Sequence, residues 1–133
     1  MYNMPDDTIL EVTGLKKYFP IEEGFIRTKI SGYVRAVDDI SFSLKNGQTM
    51  GLVGESGCGK TTTARLIVRG LTPTEGEIIF RSKSQGIIDM AQLGKKGLKK
   101  IRRDIQMIFQ DPFSSLNPRM PVLDIVAEPL KAH

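Results

Sequence analysis

The sequence predicts an α/β fold in which an antiparallel β region comes first and a parallel sheet with flanking helices follows. Three observations support this prediction. Residues 9–15 and 40–44 alternate apolar and polar side chains, as strands with one buried and one solvent-exposed face do. Residues 48–53 are apolar on both faces, which is typical of a central parallel strand. A glycine-rich turn then separates this third strand from a helical pattern over residues 62–69.

The first of these strands is expected to stop before Pro20, because proline has no N–H to donate to a ladder. Residues 21–35 have no clear period and contain two glycines, so we predict a long excursion that is partly hairpin. The second strand then ends at Lys45-Asn46-Gly47, which is a turn sequence.

The glycine-rich turn has the spacing G-x-x-x-x-G-K-[ST]. Its residues are Gly54, Glu55, Ser56, Gly57, Cys58, Gly59, Lys60 and Thr61. The glycines let the backbone wrap closely around an anion, and successive N–H groups converge on it with the positive end of the following helix. In this motif the lysine reaches the β- and γ-phosphates and the threonine hydroxyl holds Mg²⁺. We therefore predict a phosphate-binding loop that takes a nucleoside triphosphate with Mg²⁺.

The helix after this loop is expected to turn Ala64, Ile67 and Val68 towards the sheet and Arg65 and Arg69 towards water. A short strand is predicted over residues 77–80 and a surface insertion over residues 81–95. Residues 105–109 form another candidate buried strand. Residues 122–131 have a helical pattern that Pro129 should kink or end.

Six basic residues cluster around a short predicted helix: Lys95, Lys96, Lys99, Lys100, Arg102 and Arg103. We interpret them as a solvated helical face, with a nucleic-acid or acidic-lipid patch as the alternative. No aromatic residues are interleaved for base stacking, which weakens the nucleic-acid alternative.

The bulk composition is that of an ordinary globular chain. With 133 residues the chain is one domain or part of one, and its net charge of +4 suits a polyanionic ligand. No apolar run is long enough for a membrane span, and the first residues do not resemble a signal peptide. Cys58 is the single cysteine, so an internal disulfide is excluded. We interpret Cys58 as a small residue tolerated in the loop, with a reactive thiol beside Lys60 as the alternative.

The loop at residues 54–61 and the string Ile105-Gln106-Met107-Ile108-Phe109-Gln110-Asp111-Pro112 together resemble the nucleotide-binding subunits of ABC transporters. The oligopeptide and dipeptide importer branch is most similar. That finer resemblance comes from Gly-Glu-Ser-Gly-Cys-Gly-Lys, from residues 109–119, and from Ala127-Glu128-Pro129-Leu130. The excursion between Phe19 and Val37 also resembles this branch.

The resemblance implies a role for several residues beyond the loop. Gln110 matches the glutamine that contacts Mg²⁺ and the attacking water and links this region to the coupling surface of the transporter. Phe19 matches the aromatic residue that stacks on adenine, with Tyr18 as the alternative. Thr62 matches the hydroxyl residue that supports the α-phosphate, and Thr61 and Gln110 are the implied Mg²⁺ ligands.

The resemblance also implies an organisation for the whole chain. Residues 1–133 correspond to the N-terminal part of an ABC ATPase domain, truncated before the Walker B strand. Within it, residues 1–47 are mainly antiparallel β, residues 48–110 form the P-loop core, and residues 111–133 begin the helical subdomain. The LSGGQ signature, the Walker B acid with its catalytic glutamate and the switch histidine have no counterpart here. Little or no turnover is therefore expected of the chain in isolation.

The function implied is that of the ATP-binding, energy-coupling subunit of an importer for oligopeptides, dipeptides or a related solute. Its cofactors would be ATP and Mg²⁺, at the cytoplasmic face of the inner membrane. Its partners would be transmembrane permease subunits, a second ATP-binding subunit and, indirectly, a solute-binding protein, with no nucleic acid. The alternatives are a catalytically inactive nucleotide-binding fragment that acts only as an interaction module, and a soluble ABC-type ATPase that works on nucleic acid.

Overall fold

A computed structural model describes residues 4–23, 29–111 and 116–132 of the chain. Part of the predicted excursion, residues 24–28, and part of the loop after Gln110, residues 112–115, lie outside the described residues. The elements in chain order are β1 (Thr8–Glu23), β2 (Lys29–Lys45), α1 (Lys60–Ile67), β3 (Glu75–Ser82), β4 (Gly86–Asp89), a 3₁₀ helix (Met90–Gln92), α2 (Lys95–Ile101) and α3 (Val122–Ala132).

The four described strands form one sheet in the order β2-β1-β3-β4, and every pairing in it is antiparallel. Val12 of the central strand β1 pairs with Phe42 of β2 on one side and with Ile78 of β3 on the other. The predicted antiparallel β region is therefore confirmed. The predicted surface insertion contains β4, which extends this sheet by pairing with β3, and the 3₁₀ helix that follows it.

The prediction that β1 stops before Pro20 is wrong, because the strand continues to Glu23 and Pro20 pairs with Tyr33 of β2. The neighbour on the other side, β3, reaches only to the pair Lys16–Glu75. Beyond Lys16, β1 is an edge strand, and an edge strand accommodates a proline whose missing N–H lies on the open side.

The two strands expected in a parallel sheet, at residues 48–53 and 105–109, are not strands here, since neither segment forms a ladder with another described segment. Apolar extended chain becomes a strand only when a neighbour pairs with its N–H and C=O groups. Both segments consequently expose apolar side chains, with Val53 93% exposed and Ile108 96% exposed.

The core lies between the sheet, α1 and the segment from the 3₁₀ helix to α2. Its fully buried side chains include Leu15, Leu66, Ile78, Met90 and Ile101. The buried face of α1 differs from the prediction, because Leu66 and Thr63 are its buried residues. Arg69 does not point to water. The backbone leaves the helix there with φ 55°, and the half-buried guanidinium donates to the carbonyl oxygen of Met90 at 2.7 Å.

The predicted C-terminal helix is confirmed as α3, but it runs through Pro129 to Ala132. Proline in a helix removes one hydrogen bond and crowds the carbonyl four residues earlier. Only the last turn follows Pro129, so little of the helix depends on that bond. Within the described residues, none of the helices combines the length and the apolar composition that crossing a bilayer requires.

Candidate functional site

The glycine-rich loop connects the extended segment at residues 48–53 to α1 and packs against β2. Gly59 precedes the first residue of α1 and has φ 95° and ψ 2°, the left-handed conformation that glycine adopts without strain. A Cβ at Gly59 would lie 2.3 Å from the carbonyl oxygen of Ala36 in β2. Residue 59 therefore has to be glycine for two reasons, its φ angle and this close approach.

The ammonium group of Lys60 organises the loop from its inside. Lys60 Nζ donates to the carbonyl oxygens of Gly54 at 2.7 Å and Glu55 at 2.6 Å, and it lies 3.6 Å from Cys58 Sγ. The N–H of Cys58 closes the turn by donating to the carbonyl oxygen of Glu55 at 3.3 Å. These contacts wrap the loop around one positive charge.

The N-terminus of α1 adds further attraction for an anion. The N–H groups of the first turn of a helix have no intrahelical acceptor, and the helix dipole makes that end positive. The first turn of α1 contains no acidic residue. It contains instead Lys60, the exposed Thr61 and the half-buried Thr62. Ammonium, hydroxyl and N–H donors therefore meet at one end of the helix.

A cavity of about 590 Å³ places the loop beside the segment that ends in Gln110. Its lining residues include Lys60 and Thr61 at the start of α1 and Gln110 and Asp111 of the later segment. The structure thus places Lys60, Thr61 and Gln110 at one cavity. Arg65 and Asp111 line the same cavity and were not assigned to the site. Arg65 could have been found from its helical spacing, because a residue four positions after Thr61 lies on the same face.

The donor set of this cavity fits Mg²⁺ bound with a phosphate chain. Mg²⁺ takes oxygen ligands, and it commonly uses one or two protein groups together with the phosphates and water. The hydroxyl of Thr61 and the amide oxygen of Gln110 are such groups, and both residues line the cavity. The ammonium of Lys60 supplies a positive charge for the phosphates without competing for the metal.

The two candidate aromatic residues lie on β1 and do not line this cavity. Phe19 is 37% exposed, with the ammonium of Lys17 at 5.0 Å from its ring centroid. Tyr18 donates a hydrogen bond from its hydroxyl to Asp38, and the guanidinium of Arg35 lies 5.5 Å from its ring centroid. The hydrogen bond to Asp38 raises the pKa of Tyr18 and lowers the pKa of Asp38.

Comparison with known proteins adds three findings. The family model described as "ABC transporter" matches residues 37–130. The oligopeptide transport ATP-binding protein AppF of Bacillus subtilis is 50% identical over 128 residues, which are 96% of this chain and 37% of AppF. The glutathione import ATP-binding protein GsiA of Salmonella choleraesuis is 46% identical over 127 residues, which are 96% of this chain and 19% of GsiA. This chain therefore spans about a third of the length of AppF and about a fifth of that of GsiA.

Among solved structures, the ATP-binding cassette MJ0796 in a dimeric post-hydrolysis state with ADP and Pi matches with a TM-score of 0.72 and 27% identity. The match covers 92% of this chain and 47% of the cassette. This likeness confirms the predicted fold class.

Proposed function

Because the chain belongs to the ABC transporter family, we propose that it is the ATP-binding, energy-coupling part of an importer for oligopeptides, dipeptides or a related solute. The observation that carries this proposal is the cavity that Lys60 and Thr61 share with Gln110. The names of the relatives support the solute class, since AppF is an oligopeptide transport protein and GsiA a glutathione import protein.

The loop and the start of α1 would bind the phosphates of ATP. Lys60 would neutralise the β- and γ-phosphates while its contacts to Gly54 and Glu55 keep the loop closed around them. Gly57 and Gly59 would donate backbone N–H groups, Cys58 would do so in exchange for its contact to the carbonyl oxygen of Glu55, and Thr62 would support the α-phosphate. ATP supplies the phosphoanhydride bond, and the chain supplies positive charge and orientation around it.

Thr61 and Gln110 would hold Mg²⁺, which neutralises charge on the phosphate oxygens. Gln110 would also orient the water that attacks the terminal phosphate. Because Gln110 lies at the end of the segment leading towards α3, a change at the phosphates would reach the residues after it. We propose that this segment couples the ATP site to transmembrane permease subunits.

We propose Phe19 for the stack on adenine, as the family resemblance implies, with Tyr18 as the alternative. Phe19→Ala should then weaken binding of a fluorescent ATP analogue by about tenfold, since stacking on an aromatic ring contributes about 1–3 kcal/mol per base. Tyr18→Phe keeps a ring and should bind as the wild type does. A loss confined to Tyr18→Ala would transfer the assignment to Tyr18.

The proposed partners are transmembrane permease subunits, a second ATP-binding subunit and, indirectly, a solute-binding protein, at the cytoplasmic face of the inner membrane. A second ATP-binding subunit is supported by the dimeric state of the related cassette. We propose no nucleic-acid partner.

Thermal unfolding with and without MgATP tests the site. Ligand at a hundredfold excess over Kd stabilises a protein by about 2.7 kcal/mol, so the transition should move up by about 10 °C. Lys60→Ala should abolish this shift, and Lys95→Ala, which makes the same charge change outside the cavity, should preserve it. An unchanged transition of the wild type at millimolar MgATP would contradict the proposal.

A nucleotide-binding module without turnover is the second candidate. The acidic residues of the cavity favour this candidate. Asp111 is the one acid among the described lining residues, and it does not follow a strand as a catalytic acid of this family would. Phosphoryl transfer needs a positioned water as well as a phosphate cradle. ATP hydrolysis that Lys60→Ala abolishes would exclude this candidate, and binding without hydrolysis would support it.

A further inference from the structure

A second cavity, of about 570 Å³, lies away from the loop and shares no lining residue with the cavity of Lys60 and Gln110. Its walls come from α2 and the residues just after it, from the turn between β3 and β4, and from α3. Four cations line it: Lys99, Lys100, Arg103 and Lys131. The one carboxylate among its described lining residues is Asp104.

Three of these four cations are not neutralised by an ion pair within the described residues. Within the described parts of the chain, Lys99, Lys100 and Arg103 form no ion pair, whereas Lys131 pairs with Asp124 at 3.0 Å. The negative end of the α2 dipole accounts for cations in its last turn, which are Lys99 and Lys100. It does not account for a further arginine and a lysine from another helix at the same cavity.

The single carboxylate is already engaged with the sheet. Asp104 accepts hydrogen bonds from the hydroxyl of Ser82 and from the hydroxyl of Ser84 at 3.2 Å. The N–H of Asp104 donates to the carbonyl oxygen of Ile101 at 2.8 Å, and Ile101 is buried in the core. These contacts fix the chain at Arg103 relative to the β3–β4 turn, so one wall of the cavity is held in place.

We propose that this cavity binds a ligand through a phosphate group, which is either a free phosphate compound or the headgroup of an anionic lipid. A phosphate carries up to two negative charges and several strong acceptor oxygens, so it can take hydrogen bonds from several cations at once. Arg103 suits a bidentate contact to two of these oxygens, and the lysines act as point charges beside it. The volume of the cavity lies within the range of small-molecule sites.

Matched triple variants test the proposal in the Lys60→Ala background, which removes the lysine of the other phosphate site. The cavity variant carries Lys99→Gln, Lys100→Gln and Arg103→Gln. The control variant carries Lys95→Gln, Lys96→Gln and Arg102→Gln, with the same charge loss on the same basic segment at residues that do not line the cavity. Affinity for pyrophosphate is measured by calorimetry, and circular dichroism checks that each variant is folded.

The cavity variant should bind pyrophosphate at least about tenfold more weakly than the parent, because it loses three side chains that donate charge-assisted hydrogen bonds to the phosphate. The control should lose no more than about threefold, as expected for screened surface charges. Equal losses in the two variants would overturn the proposal, since they would indicate diffuse attraction. If a triple variant does not fold, the single pair Arg103→Gln and Arg102→Gln decides the question in the same way.

Vesicle sedimentation distinguishes the two sources of phosphate. The full chain is mixed with phosphatidylcholine vesicles that contain or lack phosphatidylglycerol. Sedimentation that needs phosphatidylglycerol and is lost in the cavity variant alone supports a lipid headgroup. Cavity-dependent binding of pyrophosphate without such sedimentation supports a free phosphate compound. If neither probe binds in a cavity-dependent way, the proposal is refuted.

Discussion

Gly57 and Gly59 provide a matched test of how the phosphate-binding loop is attached to the sheet. Both have positive φ angles, 83° and 95°. A Cβ at Gly57 would meet no atom within 4 Å beyond its chain neighbours, whereas one at Gly59 would lie 2.3 Å from the carbonyl oxygen of Ala36. Replacing each with alanine therefore imposes similar backbone strain, and only the second replacement adds a collision with β2.

The expected magnitudes follow from these two terms. An L-residue in the left-handed region costs about 1–2 kcal/mol, so Gly57→Ala should lower the free energy of unfolding by that amount. Gly59→Ala adds an overpacking cost of about 1–3 kcal/mol, because the obstacle is backbone and cannot rotate away. The midpoint of thermal unfolding of a chain this size moves by about 4 °C per kcal/mol. Gly59→Ala should therefore melt at least about 4 °C below Gly57→Ala.

Far-ultraviolet circular dichroism provides the assay, and urea titration of the same variants checks the free energies independently. An equal loss of stability in the two variants would refute the reasoning, because it would mean that Gly59 does not pack on Ala36. A larger loss at Gly57 would refute it as well, since Gly57 has open space around it.

Three further predictions concern the stability of the core and the dependence of the free energy of unfolding on pH in the acid range. Ile78→Ala, at a fully buried position, should lower the free energy of unfolding by about 2–5 kcal/mol, and Ile30→Ala, 52% exposed, by less than about 1 kcal/mol, both measured by urea unfolding. Arg69→Ala should cost about 2–3 kcal/mol by the same measurement, because its guanidinium donates to three carbonyl oxygens, and Arg69→Lys should not restore it. The hydrogen bond from Ser82 lowers the pKa of Asp104 below its ordinary value of 3.8, so the stabilisation is present above that value and is lost as pH falls through the folded pKa. Asp104→Asn should thus show a shallower loss of stability between pH 5 and pH 2 than the wild type, and an equally steep loss would contradict this assignment.

Local chemistry explains which predictions from the sequence succeeded. The spacing of Gly54, Gly59 and Lys60 predicts a loop that ends in a helix, and α1 begins at Lys60. Glycine, lysine and threonine at these positions have properties that hardly depend on the rest of the chain. The alternation at residues 9–15 and 40–44 likewise predicts strands with one buried face, and both lie within β1 and β2.

Pairing explains which predictions failed. Pro20 is compatible with β1 because β3 ends beside Lys16, which is a property of the neighbouring strand. The apolar segment at residues 48–53 is not a strand because no described neighbour pairs with it. A single sequence contains the side chains of a segment but not the identity of its neighbours, so edge and interior positions cannot be distinguished from it.

The sequence by itself determined the chemistry of this protein: a lysine inside a glycine loop, a helix after that loop, and a glutamine after a distant apolar segment. The tertiary structure alone decided which of these groups meet. It placed Gln110 in the cavity of Lys60 and Thr61, and it gathered Lys99, Lys100, Arg103 and Lys131 around a second cavity. The physical reason is that residue types and short spacings act over a few residues, whereas cavities form where segments far apart in the chain are packed together.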